Sequence, residues 1–255
     1  MGGFGKALRA EVLKGAHATP RKIALIAPLP FCLLGMVASG LFGGGGAGWT
    51  GFATYGWNWW YALMLPVSVA LVTASVANID AKQQLRPVLG LPCPPRNTLL
   101  AKVAYVAMLT FGANLVVMAF AIAVRLAGGN APAVAASALM APVLTLAVSW
   151  VVPAGLFLTM RLGTLAGIAV PLIAQIGLGI ALADGSVWWV IPMAVGMRIA
   201  SPIIGVAPSG IPLATGDAMG VLDGSWFLAL AVATAAGAAL TVLAAVWFDN
   251  QEVAC

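Results

Sequence analysis

Long apolar runs, separated by short polar or glycine- and proline-rich breaks, dominate the pattern of this chain. A helix rises 1.5 Å per residue, so ~20 apolar residues cross the ~30 Å hydrocarbon layer of a bilayer. Runs of that order fall at about 23–42, 59–79, 99–126, 133–160, 162–183 and 226–248. They predict an all-α integral membrane protein with six transmembrane helices. Residues 1–22 follow a different pattern. Phe4, Leu8, Val12 and Leu13 recur at helical spacing among Lys6, Arg9, Glu11, Lys14, Arg21 and Lys22. That predicts an amphipathic helix lying in the interface before the first span. The basic stretch is long, it contains Glu11, and a span-length run follows, so it reads as a retained anchor and not a signal peptide.

Two stretches do not read as plain spans. Residues 43–58 are rich in glycine and then aromatic (Trp49, Phe52, Tyr55, Trp57). Trp and Tyr favour the membrane–water boundary, so an outer interfacial loop is expected there. Residues 187–206 are apolar enough for a seventh span, but Arg198 sits near the middle and Pro192 and Pro202 interrupt. An arginine at mid-bilayer costs at least ~2.5 kcal/mol. The expectation is therefore a re-entrant or interfacial hairpin within an outer segment, 184–225, before the last span.

Composition agrees: 62% of residues are hydrophobic and 7% charged, against roughly 25% charged in soluble domains. No polar segment is long enough for a separate soluble domain, so residues 1–255 read as one transmembrane domain. The net charge of +5 does not point to nucleic acid, because the basic residues cluster at the ends of apolar runs. With the N-terminus inside and six spans, Lys6, Arg9, Lys14, Arg21, Lys22, Lys82, Arg86, Arg96, Lys102 and Arg161 fall on the cytoplasmic side. Only Arg125 and Arg198 fall outside, together with Asp184, Asp217 and Asp223. That bias predicts cytoplasmic N- and C-termini. It also places the polar loop 80–102 in the cytoplasm. In a chain so sparing of charge, a loop with Asp80, Lys82, Arg86, Arg96 and Lys102 reads as a docking surface for a cytosolic partner.

Chemistry-bearing motifs are missing. No G-x-x-x-x-G-K-[ST], H-E-x-x-H or G-x-S-x-G occurs, so no P-loop nucleotide site, zinc-protease helix or hydrolase elbow is expected. Cys32, Cys93 and Cys255 are scattered, and the lone histidine, His17, reads as solvated. No predicted span holds Asp, Glu, Lys or His near its centre, which argues against ion-coupled transport and intramembrane catalysis. Asn78, Asn114, Ser149 and Gln175 read as interhelix hydrogen-bonding groups. The alternative for Asn114 and Gln175 is that they line a substrate path. Gly163 and Gly167 read as a close-packing G-x-x-x-G pair. What remains is a six-span bundle without an energy source of its own, the pattern expected when a separate cytosolic subunit supplies it.

Four ordered stretches carry a resemblance. They are A-E-V-L-K at 10–14, N-W-W-Y-A-L-M-L-P at 58–66, L-R-P-V-L-G-L-P at 85–92 with N-T-L-L-A-K at 97–102, and I-P-M-A-V-G-M-R-I-A-S-P-I-I-G-V-A-P-S-G-I-P at 191–212. Together they resemble permease subunits of type 2 ABC exporters, and more narrowly those of lantibiotic-immunity transporters. The glycine-rich 43–48 departs from that pattern. The resemblance implies a bacterial plasma membrane, a second permease subunit, the same or homologous, and a nucleotide-binding dimer that holds ATP and magnesium, with no cofactor or enzyme activity in this chain. It implies export of a cationic amphipathic peptide. Coupling to the ATPase is then expected at Glu11, Lys14, Asp80, Arg86, Pro87, Leu89, Pro92 and Arg96. The substrate path or outer gate is expected at Trp59, Trp60, Asn114, Gln175, Arg198 and Pro202. Two other readings stay open: an exporter of a lipid, drug or other natural product, and a membrane sensor or scaffold for antimicrobial peptides.

Overall fold

The computed structural model describes residues 2–16, 18–41, 47–81, 94–128 and 133–250. Among them the chain is all-α; the only β feature is an isolated bridge between Val206 and Pro212. An N-terminal helix, α1 (Gly2–Lys14), precedes α2 (Thr19–Ala38), α3 (Gly48–Asp80), α4 (Pro95–Ala127), α5 (Val134–Leu162) and α6 (Thr164–Leu182). A short helix, α7 (Pro192–Ile204), and a final long one, α8 (Gly224–Asp249), complete the set. Helices α2 to α6 and α8 are the six long and apolar enough to cross a membrane.

Proline decides where these helices bend. Pro28 and Pro30 donate no backbone hydrogen bond, and α2 breaks between Ile26 and Leu29. Pro142 and Pro153 have no N–H to donate to the carbonyls four residues earlier, and α5 loosens at Leu139 and at 148–150. Gly163 then turns the chain back with φ +97, a conformation that glycine adopts without cost. The return brings Gly167 against Thr159, where a Cβ would overlap the threonine hydroxyl. Close packing is thus met at Gly167, while Gly163 serves as the turn.

The sequence expectation for 43–58 needs correction. Helix α3 begins at Gly48, eleven residues before the expected Trp59, and absorbs most of the aromatic stretch. Phe52, Trp57, Trp60 and Tyr61 are fully buried and form the heart of the core. The N-terminal half of α3 winds in wide π-type turns over Ala53–Asn58 and Trp60–Met64, and α6 does the same over Ala174–Leu178. Such turns recur at functional sites because they re-aim side chains within a helix. The expected loop 80–102 is also shorter than its boundaries. Asp80 belongs to α3, and residues 95–102 to α4.

Helix α7 spans about 20 Å at 1.5 Å per residue, too short for the hydrocarbon layer. Gly205, with φ +76, ends it, and the chain doubles back through 206–212. The hairpin expected before the last span is therefore present, carried at the ends of the long helices away from α1.

Candidate functional site

Helix α1 lies across the base of α4. Leu8 and Val12 pack against the core, while Phe4 and Leu13 stay exposed. Its attachment is ionic. Glu11 Oε1 accepts from Lys14 Nζ at 2.8 Å, and Glu11 Oε2 accepts from Lys102 Nζ at 2.8 Å. Lys102 Nζ lies 2.6 Å from Asp80 Oδ2, and Asp80 Oδ1 lies 3.2 Å from Lys14 Nζ. The four charges alternate around a closed ring, two positive and two negative. Lys102 is 0% exposed, with Glu11 and Asp80 nearly so. Lys102 also donates to the Val76 carbonyl, and Arg21 bridges the Val12 carbonyl and the Tyr105 hydroxyl.

Burying two ammonium–carboxylate pairs is expensive unless the geometry satisfies every lone pair, and here the ring does most of that. Its mechanical consequence is specific. Asp80 is the last residue of α3, and Lys102 sits two turns into α4, so the ring joins both stems of the polar loop to α1. At the same face, the Arg96 backbone N–H donates to Asp249 Oδ1 at 2.9 Å, and the Arg96 guanidinium lies 3.8 Å from Oδ2. That links the end of α8 to the start of α4. Arg86, Pro87, Leu89 and Pro92 lie outside the described residues. Lys102 had been counted among exposed loop charges, and the structure makes it the most buried charge in the ring.

The opposite face holds α7, whose Ala194, Val195, Ile199, Ala200 and Ile204 join the core and whose end carbonyls need donors within that apolar surrounding. Four spans supply the donors. Gln175 Nε2 of α6 donates to the Met193 carbonyl at 3.0 Å. Trp226 Nε1 of α8 donates to Ile199 at 2.8 Å, and Trp49 Nε1 of α3 to Ile204 at 3.0 Å. Arg125 of α4 approaches the Ile203 carbonyl at 3.4 Å, donates to Ser137 Oγ at 2.6 Å, and stacks 3.4 Å above the Trp49 ring. Arg125, at the end of the run expected as the third span, is buried. Beyond α7, the turn at 206–212 rests on α3, where Asn58 and Thr54 face the Pro208 and Gly210 carbonyls.

The residues expected along a substrate path divide accordingly. Trp60 Nε1 donates to Asn114 Oδ1 at 2.9 Å, and Asn114 Nδ2 to Thr145 Oγ1 at 3.1 Å, stitching α3, α4 and α5. Trp150 Nε1 donates to Gln175 Oε1 at 2.9 Å. Trp60, Asn114 and Gln175 are 0% exposed, so each is spent on helix packing. Trp59 is exposed on the outer apolar surface. Arg198 and Pro202 line a cavity beside Trp188 and Trp226. Among the described residues, no cluster of His, Cys, Asp and Glu suits a metal ion.

No family model matches the chain, and comparison with curated proteins and with solved structures likewise finds no significant match.

Proposed function

We propose that the chain is the membrane-spanning permease subunit of an ATP-driven exporter in a bacterial plasma membrane. The observation that carries this reading is the closed ion ring of Glu11, Lys14, Asp80 and Lys102. A docking partner that pushes on the polar loop needs a stiff connection to the spans. The ring provides one: α1, the end of α3 and the start of α4 move together unless buried charges are parted, at ~3–5 kcal/mol. The ring also gives Glu11, Lys14 and Asp80 a positioning role, leaving direct contact with the ATPase to residues 82–93. The buried, bonded state of Asn114 and Gln175 favours a substrate route along the bilayer or a seam with a second permease subunit, not through this bundle. A cationic amphipathic peptide is the substrate class that the sequence resemblance implies; the acids Asp184, Asp217 and Asp223 at the opposite face suit it.

The test is co-purification of the native complex followed by reconstitution. An ATPase chain should accompany the protein, and cationic amphipathic peptide should raise its turnover several-fold. Arg86→Glu should abolish that stimulation while the permease stays folded. If no ATPase chain accompanies the protein, the proposal fails. Tight peptide binding without stimulation favours the sensor reading, and stimulation by a lipid or drug instead of peptide favours the wider exporter reading.

A further inference from the structure

A cavity of about 130 Å³ opens at the α7 face, walled by Trp188, Pro202 and Trp226. Arg198 and Asp223 both line it, yet they form no ion pair with each other. Arg198 spends one N–H on the Ala183 carbonyl at 3.0 Å, and its guanidinium lies 4.6 Å from the Trp188 ring centroid. A guanidinium carries five N–H donors, so most of them remain for a ligand. Asp223 accepts from Ser225 Oγ at 2.7 Å and from the Trp226 N–H at 3.1 Å, both at Oδ1, and its carboxylate is exposed to a further donor. The position matters as much as the charges. Tryptophans flank the cavity beside the outer ends of α6 and α8, the depth at which Trp marks the headgroup layer.

Two opposite charges facing one cavity without touching leave room between them for a molecule that carries both. A purely anionic group is disfavoured, because Asp184, Asp217 and Asp223 all act on Arg198. We propose that this cavity holds the zwitterionic headgroup of a phospholipid, with the phosphate on the Arg198 guanidinium and the ammonium at the Asp223 carboxylate. Phosphate suits a planar guanidinium fork, which offers paired donors. The site shares Asp223 with the transport reading but does not rest on it: lipid selectivity alone tests it.

Native mass spectrometry of the full-length protein, released from nanodiscs with equal phosphatidylethanolamine and phosphatidylglycerol, tests this. The wild type should retain phosphatidylethanolamine about tenfold over phosphatidylglycerol, a preference equal to ~1.4 kcal/mol. Arg198→Gln should remove phosphatidylethanolamine retention. Asp223→Asn, an exposed change, should bring the preference close to unity while phosphatidylglycerol retention holds or rises. Equal retention of the two lipids by the wild type overturns the proposal. So does an unchanged preference in Asp223→Asn, which decides the matter even if the arginine variant fails to fold.

Discussion

Lys102 is where residue-level physics is most exposed to test. A fully buried ammonium survives because Glu11 and Asp80 both face it and the Val76 carbonyl takes a further bond. Glu11→Gln removes one of two counter-charges from a dry site and should lower stability by ~3 kcal/mol, read as thermal unfolding in detergent. Pairing Glu11→Gln with Lys102→Met leaves Lys14 and Asp80 as a balanced pair, so the double variant should be less destabilised than the two single losses summed. Strict additivity would show that the ring is not a coupled unit. The four residues are visible as charges in the sequence, but helical spacing pairs only Glu11 with Lys14. Glu11 and Lys102 lie 91 positions apart, and Lys14 and Asp80 lie 66 apart. The same holds for Asn114 and Gln175: their polarity was legible, while their closure by Trp60 and Trp150 needed the folded bundle.

At the scale of elements, α1 is held by charge, and its response to pH follows from Lys14. Burial pulls the Lys14 pKa down, but the hydrogen bond and charge of Glu11, and then those of Asp80, outweigh it and hold it above the ordinary lysine range. A folded value above the unfolded one adds stability that is fully present below about 10.4 and lost as pH rises through the folded value. Helix α1 should therefore stay docked through neutral pH and loosen only in strong alkali. A spin label at Ala7 measures this directly; loosening near pH 8 would contradict the ring's role. The bent α5 was readable from Pro142 and Pro153, since a missing N–H acts locally. The start of α3 was not. Tryptophans at an interface and in a core look alike in sequence, and only the packing of Trp57 and Trp60 against the other spans separates the two cases.

For the whole molecule, the pairing of Arg96 with Asp249 places the end of α8 beside the start of α4. Six crossings return the chain to the face where α1 lies. Asn250→Cys should accordingly resist membrane-impermeant thiol reagents on intact cells and react in inverted vesicles. Labelling of intact cells at Asn250→Cys, with a cysteine at Ala7 in α1 still protected, would require a seventh crossing and would move α7 from hairpin to span. The suspension of α7 makes that outcome structurally costly, because Gln175, Trp226, Trp49 and Arg125 approach its carbonyls from four different spans.

Apolar run length and the placement of basic residues act over a few turns of chain, so the all-α class, the six long helices and the hairpin before the last one were determined by sequence alone. The ion ring, the hung α7 and the two-charge cavity were decided by tertiary structure. Each joins groups tens of residues apart or more, up to 155 between Trp49 and Ile204. A buried charge or carbonyl must find its partner wherever packing brings one, and that geometry is set by all the helices together.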